Sequence, residues 1–252
     1  SGEYSAYLTK PYRDKDTRGA TMPTEKQLYD LFKEANEAGL NIHMHTIGDA
    51  AVRLILDTMD QLEAEGVELK VKFIIAHLEL IQDEDLKRLN RHGIYGNVTP
   101  HWVTGLGNPV METLRLPMDL YRLSYRYNSY WKTGVNVSFG ADSTILPGIF
   151  GEESWSPFYG WEIGMTRLQI GDTDISHVDH LDERLTLEQM IQGYTINSAK
   201  QCDWDKVAGS IEVGKSADMM VLKENPFEIP VERIHELLPE FVLFKGDVIY
   251  QG

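Results

Sequence analysis

Histidines and acids stand at the ends of four short apolar runs in this 252-residue chain. His43 and His45 lie within Asn41 to Thr46, His77 and Glu79 follow Val71 to Ala76, His101 follows Ile94 to Thr99, and Asp142 follows Val135 to Gly140. Imidazole and carboxylate are the donors that a divalent metal such as zinc accepts. His43 and His45 are two apart, so on a strand both point to one side while Met44 points to the other. Each signal has a plainer reading: a strand-end histidine as a hydrogen-bonded structural residue, Asp142 as a helix cap or turn residue. Their recurrence at four successive strand ends favours the metal. A Ser-His-Asp triad finds no G-x-S-x-G elbow, and a phosphate-binding loop is not expected.

The elements that must position these residues read as alternating helices and strands. Thr24 and Gln27 form a capping box ahead of Leu28, Leu31, Phe32 and Ala35 at helical spacing, and Gly39 ends that helix. The strand Asn41 to Thr46 leads into a helix carrying Val52, Ile55, Leu56, Met59 and Leu62, with Asp49 as its expected N-cap. The strand Val71 to Ala76 precedes a helix opened by Asp83, with Leu86 and Leu89 inside it. Ile94 to Thr99 is a third strand, and a Gly/Pro connection (Gly105, Gly107, Pro109) leads to a helical stretch from Pro117 to Lys132. Val135 to Gly140 is the fourth strand, followed by a long excursion from Ser143 to Arg184 with a helical piece around Phe158 to Arg167. A second capping box, Thr186 with Gln189, opens a helix running to about Gln201. Ala217 to Leu222 and Phe241 to Tyr250 read as β, with Gly246-Asp247 as the hairpin signal. Strands alternating with helices imply an α/β architecture with a parallel sheet, whose C-terminal strand ends are where ligands gather.

Composition narrows the partners. The acids outnumber the bases and the formal charge is -15, which repels phosphate backbones and anionic membrane surfaces. Neither nucleic acid nor a membrane is therefore an expected partner. The lone Cys202 cannot form an internal disulfide, and no signal-like segment or membrane-length apolar run occurs, so the expected setting is soluble and cytoplasmic. A whole (β/α)8 barrel takes roughly 250 residues. Length alone is compatible with one.

The ordered strings HMHTIGDAAVRLILD, IAHLELI, NVTPHW, VSFGADS, RLTLEQMIQGYTINSAK and GSIEVGKSADMMVL resemble the amidohydrolase superfamily, in particular its amidohydrolase family 3 branch of deformylase-like enzymes. The resemblance implies a TIM-barrel-like (β/α)8 fold with a small β-sandwich domain, and metal-dependent hydrolysis of amide-type carbon-nitrogen bonds in a small-molecule substrate. It places the H-x-I-G-D histidine of strand five on His45, the strand-six metal ligand on His77, and the strand-eight aspartate on Asp142. Asp142 would be both a metal ligand and the catalytic acid/base, taking a proton from water and passing it to the departing amine. His43, His101 and Trp102 would line the substrate pocket, and the cofactor would be a divalent metal, zinc by its ligand types.

On this reading His43 and His45 belong to strand five, and the family's strand-one H-x-H pair and strand-four ligand have no counterpart here. The chain is thus expected to hold the last four β/α units in residues 1–202 and strands of the sandwich domain in residues 203–252, with impaired activity on its own. A second reading, from a different class, is a catalytically inactive half-barrel whose open edges bind a partner or drive homo-oligomerisation. Asp49 is expected to cap its helix and Glu79 to orient a ligand histidine. Trp102, Trp155 and Trp161 are expected to pack or line a pocket, and Arg122 and Arg126 to sit on a solvated or salt-bridged helix face and not to clamp substrate.

Overall fold

A computed structural model of the chain describes residues 4–104, 115–142 and 155–252. The connection Gly105 to Pro109 and the first part of the excursion after Asp142 lie outside the described residues. The chain forms two compact units, Ser1–Val98 with Gly107–Val137 and Thr99–Leu106 with Ser138–Gly252.

In the first unit α1 (Glu25–Ala38) begins with the expected capping box of Thr24 and Gln27 and stops at Gly39 in the left-handed region. The strand β1 (Ile42–Thr46) feeds α2 (Asp49–Ala64), β2 (Phe73–His77) feeds α3 (Asp83–Arg91), and β3 (Tyr95–Val98) follows. Two short helices, α4 (Met118–Tyr121) and α5 (Tyr127–Lys132), precede β4 (Asn136–Phe139), which begins in the first unit and ends in the second. The four strands make one sheet in the order β1-β2-β3-β4, and both β1–β2 and β2–β3 are parallel. The protein is therefore α/β with a parallel sheet. Its core joins Leu28 and Phe32 of α1, Val52, Ile55, Leu56, Met59 and Leu62 of α2, and Phe73 and Ile75 of β2. Phe32 meets Phe73 edge to face with ring centres 4.8 Å apart. Along β1 the alternation is clean: Ile42 and Thr46 are buried, while His43 and His45 are exposed on the other face.

Two expectations change here. The stretch from Pro117 to Lys132 is not one helix, because residues 123–125 pair with residues 79–81 instead. Leu80 bridges Ser124, Tyr125 N donates to Glu79 O at 2.7 Å, and Tyr125 takes a positive φ of 50°. Once those backbone groups bond across to the segment after β2, the helical ladder cannot run through them. Asp49 does not cap α2. Gly48 holds the N-cap with φ 105°, and a Cβ there would overlap the Tyr7 carbonyl, so only glycine lets the segment around Tyr7 pass this close. Asp49 is the first helical residue, fully buried, and its carboxylate accepts from Thr9 N (3.0 Å), Thr9 Oγ1 (2.5 Å) and Gln82 Nε2 (2.6 Å).

In the second unit a 3-10 turn at Pro100–Val103 precedes α6 (Pro157–Thr166), α7 (Leu187–Tyr194) and α8 (Ile196–Gln201). The expected capping box of Thr186 and Gln189 opens α7. The helix expected through Gln201 breaks at Thr195 (φ -119°, ψ -95°), where Thr195 Oγ1 donates to Ile191 O and Ser198 Oγ to Gly193 O. These hydroxyls satisfy carbonyls that a continuous helix would bond through its backbone. The strands β5 (Met219–Leu222), β6 (Pro239–Phe244) and β7 (Asp247–Gln251) form an antiparallel sheet in that order. Phe244 pairs with Asp247, so the tight turn is Lys245-Gly246, both at positive φ, one residue earlier than expected.

Candidate functional site

In the first unit the strand register would keep two of the key histidines apart. His45 lies opposite Ala76, and His77 lies opposite Thr46, so strict alternation sends His77 to the helix-facing side. The backbone reverses that. Leu78 N donates to Ala76 O at 3.0 Å across His77, whose φ is 70°, and Leu78 follows at φ 48°. This is a three-residue turn of the strained hand, uncommon for residues other than glycine. The imidazoles of His45 and His77 consequently meet edge to face, with centres 4.3 Å apart. The turn is pinned from behind: Tyr130 Oη, on α5, donates to Leu78 O at 2.7 Å, and both residues are fully buried. Tyr130 carries no sequence signal beyond being a helical aromatic. His43 sits on the same exposed face as His45, and although it reaches solvent, the atoms crowding its ring push its pKa below the ordinary value.

In the second unit Asp142 lies three residues beyond β4, again at positive φ (47°). Trp102 Nε1 donates to Asp142 Oδ2 at 3.1 Å. Trp102 is set by the turn at Pro100–Val103, in which Trp102 N donates to Thr99 O and Thr104 closes the far side through Oγ1 to His101 O (3.0 Å). His101 is buried and stacks on Tyr159, rings 6.0 Å apart and nearly parallel. Gly160 on α6 faces both His101 and Tyr194, and a Cβ there would overlap Tyr194 Oη. Glu162, also on α6 and buried, accepts from His235 through both its backbone N (3.0 Å) and Nδ1 (2.7 Å). Sequence reasoning did not single out Tyr159, Glu162 or His235. Only distance along the chain hid them.

Among the described residues one group of three brings metal-type ligand atoms within 4.8 Å of one another: Asp60, Glu63 and His92. It is already neutralised. Arg88 pairs with Asp60 at 2.6 Å, Arg91 pairs with Asp60 as well, and the ring nitrogens of His92 face Asp60 (2.7 Å) and Glu63 (3.2 Å). Two guanidinium charges at its edge oppose a further cation, and the group ties α2 to α3. The string Gly209 to Ser216 does match the phosphate-loop pattern G-x-x-x-x-G-K-[ST]. That chemistry needs a strand before the loop and a helix after it. Here α8 precedes and β5 follows, and Lys215 Nζ is spent on Ser210 Oγ (2.5 Å) and Glu212 (3.0 Å). Arg126 pairs with Asp83 at 2.6 Å, but it does not share a helix face with Arg122 as expected: Arg122 caps the end of α4, Arg126 precedes α5, and the break at residues 123–125 lies between them. Trp161 packs edge to face on Phe158.

Comparison with known proteins gives a match to the model of the amidohydrolase family over residues 1–250. YtcJ of Bacillus subtilis is 24% identical over 251 residues, covering 99% of this chain and 45% of that protein. N-substituted formamide deformylase of Arthrobacter pascens is 23% identical over 219 residues, 87% of this chain and 38% of that protein. Among solved structures, a metal-dependent hydrolase from Pyrococcus horikoshii superposes with a TM-score of 0.74 at 24% identity, covering 90% of this chain and 43% of that one. The chain thus spans less than half the length of these relatives. No helix among the described residues is long and apolar enough to cross a membrane.

Proposed function

The chain belongs to the amidohydrolase family, and on that premise we propose that it carries part of the active site of a metal-dependent hydrolase of amide-type carbon-nitrogen bonds in a small molecule. His45, His77 and Asp142 would be its ligands to a divalent metal, zinc by donor type, within a (β/α)8 barrel. The observation that carries the reading is the turn at His77: strained backbone is spent on bringing its imidazole 4.3 Å from that of His45, against the alternation of the strand. Two imidazoles and a carboxylate are a donor set that fits zinc. When bound, the metal would supply Lewis acidity, acidifying water and polarising a carbonyl.

The remaining chemistry belongs to the chain itself. Asp142, with Oδ2 engaged by Trp102, would take the proton of the attacking water and return it to the leaving amine. His101 and Trp102 would line the substrate pocket with His43, whose depressed pKa keeps its ring neutral and able to accept a hydrogen bond from substrate. A second reading, a self-associating scaffold, is favoured by one observation: β7 is exposed along its whole length, including Val248, Ile249 and Tyr250. Zinc uptake and hydrolysis of N-substituted formamides by this chain, and by a form extended at its N-terminus, test the two together. Zinc binding with hydrolysis in the extended form supports the enzyme. A stable dimer with neither supports the scaffold.

A further inference from the structure

Resting on the reading of Asp142 as the acid/base carboxylate and a metal ligand, we propose that Trp102 is a positioning residue, holding Asp142 Oδ2 so that Oδ1 is the oxygen presented for chemistry. Indole Nε1–H is a donor only, with no lone pair to offer a substrate or a metal. It donates to Oδ2 at 3.1 Å, while Oδ1 accepts no hydrogen bond among the described residues. The two oxygens of one carboxylate are thereby made unequal. A bond from a neutral donor to one oxygen fixes the rotation of the carboxylate plane and directs the other oxygen outward.

Both ends of this contact are held in place by the backbone. Trp102 sits in a 3-10 turn that starts at Pro100, which fixes φ at the turn entrance, and is closed by Trp102 N to Thr99 O (3.2 Å) and by Thr104 Oγ1 to His101 O (3.0 Å). Asp142 takes φ 47°, a conformation Asp tolerates better than most residues but one that costs free energy. A side chain on a left-handed residue just beyond a strand would otherwise be free to rotate into solvent. The half-buried indole supplies the restraint. A role confined to lining the pocket would need Trp102's ring face and not its N–H, so the two roles separate on removal of the N–H alone.

Three variants of the full chain test this, Trp102→Phe, Trp102→His and Asp142→Asn. In solution, the indole N–H cross-peak that disappears in W102F moves in D142N if the bond exists; an unmoved peak overturns the proposal. By equilibrium dialysis, W102F lowers zinc affinity by about 10–100-fold, the usual loss when an outer partner of a ligand is removed. W102H, which restores a ring N–H, recovers part of that loss, a rescue that a packing role does not predict. Unchanged affinity in W102F overturns the proposal, as does equal loss in W102F and W102H when both melt at the wild-type temperature. The underlying reading fails separately: if D142N binds zinc as wild type does, Asp142 is not a ligand, whereas loss in D142N with none in W102F removes only the role of Trp102.

Discussion

The imidazoles of His45 and His77 touch edge to face at 4.3 Å although β1–β2 register sets their side chains on opposite faces of the sheet. What reconciles the two is one turn, closed by Leu78 N to Ala76 O with His77 at φ 70° and braced by Tyr130 through Leu78 O. The brace predicts that Tyr130→Phe loosens the pair. Removing the hydroxyl leaves the buried Leu78 carbonyl short of a partner at a cost of about 1–3 kcal/mol. The expected result is a lower melting temperature together with zinc affinity reduced at least several-fold, measured by chemical denaturation and dialysis. Loss of stability with unaltered zinc affinity would show that Tyr130 supports the fold and not His77.

Asp49 is a structural anchor. Its buried carboxylate gathers Thr9 and Gln82, joining the segment before α1 to the start of α3. Asp49→Ala strands three donors at once and is expected to cost about 2–4 kcal/mol in urea denaturation, with Asp49→Asn costing less. A loss under about 0.5 kcal/mol, the size of an ordinary surface substitution, contradicts the assignment.

Gly160 and Tyr194 form a size-limited contact in the second unit. Gly160→Ala would drive a methyl into Tyr194 Oη and is expected to cost about 1–3 kcal/mol. Tyr194 Oη is buried with no hydrogen-bond partner among the described residues, and burial pushes its pKa up, so the hydroxyl stays protonated. Tyr194→Phe alone is therefore neutral or stabilising, and in the double variant it relieves part of the G160A loss. Additive losses on thermal denaturation would contradict the contact.

His92 makes stability depend on pH. Its enclosed ring faces Asp60 and Glu63, with Arg88 and Arg91 beside them, and burial is the largest effect, holding its pKa below the ordinary histidine value. The unfolded chain thus binds this proton more readily than the folded one. The stability His92 contributes is full above about pH 6.5, its unfolded pKa, and is lost as pH falls through the lower folded value. His92→Gln cannot titrate, so its melting temperature should fall less than that of wild type between pH 7 and pH 5.5. Equal slopes contradict this.

Sequence periodicity exposed most of the fold because local rules decided it: the capping boxes at Thr24 and Thr186, and the apolar stripe of α2, needed no distant partner. It failed where distant chain intervened. Residues 79–81 took the backbone bonds of 123–125 and split one expected helix, and the Tyr7 carbonyl moved the cap of α2 from Asp49 to Gly48. The proposed site was read from the types and order of His45, His77 and Asp142. Tyr130 and the hydrogen bond from Trp102 were not, since no spacing rule links residues that lie 52 and 40 positions apart along the chain.

The most direct test is zinc retained per chain after gel filtration, in wild type, His45→Ala and His77→Ala. The pairing of the two imidazoles predicts that wild type keeps zinc and that each alanine variant loses it while melting at nearly the wild-type temperature. Zinc retained equally by all three, or by none, would contradict a metal centre built on His45 and His77.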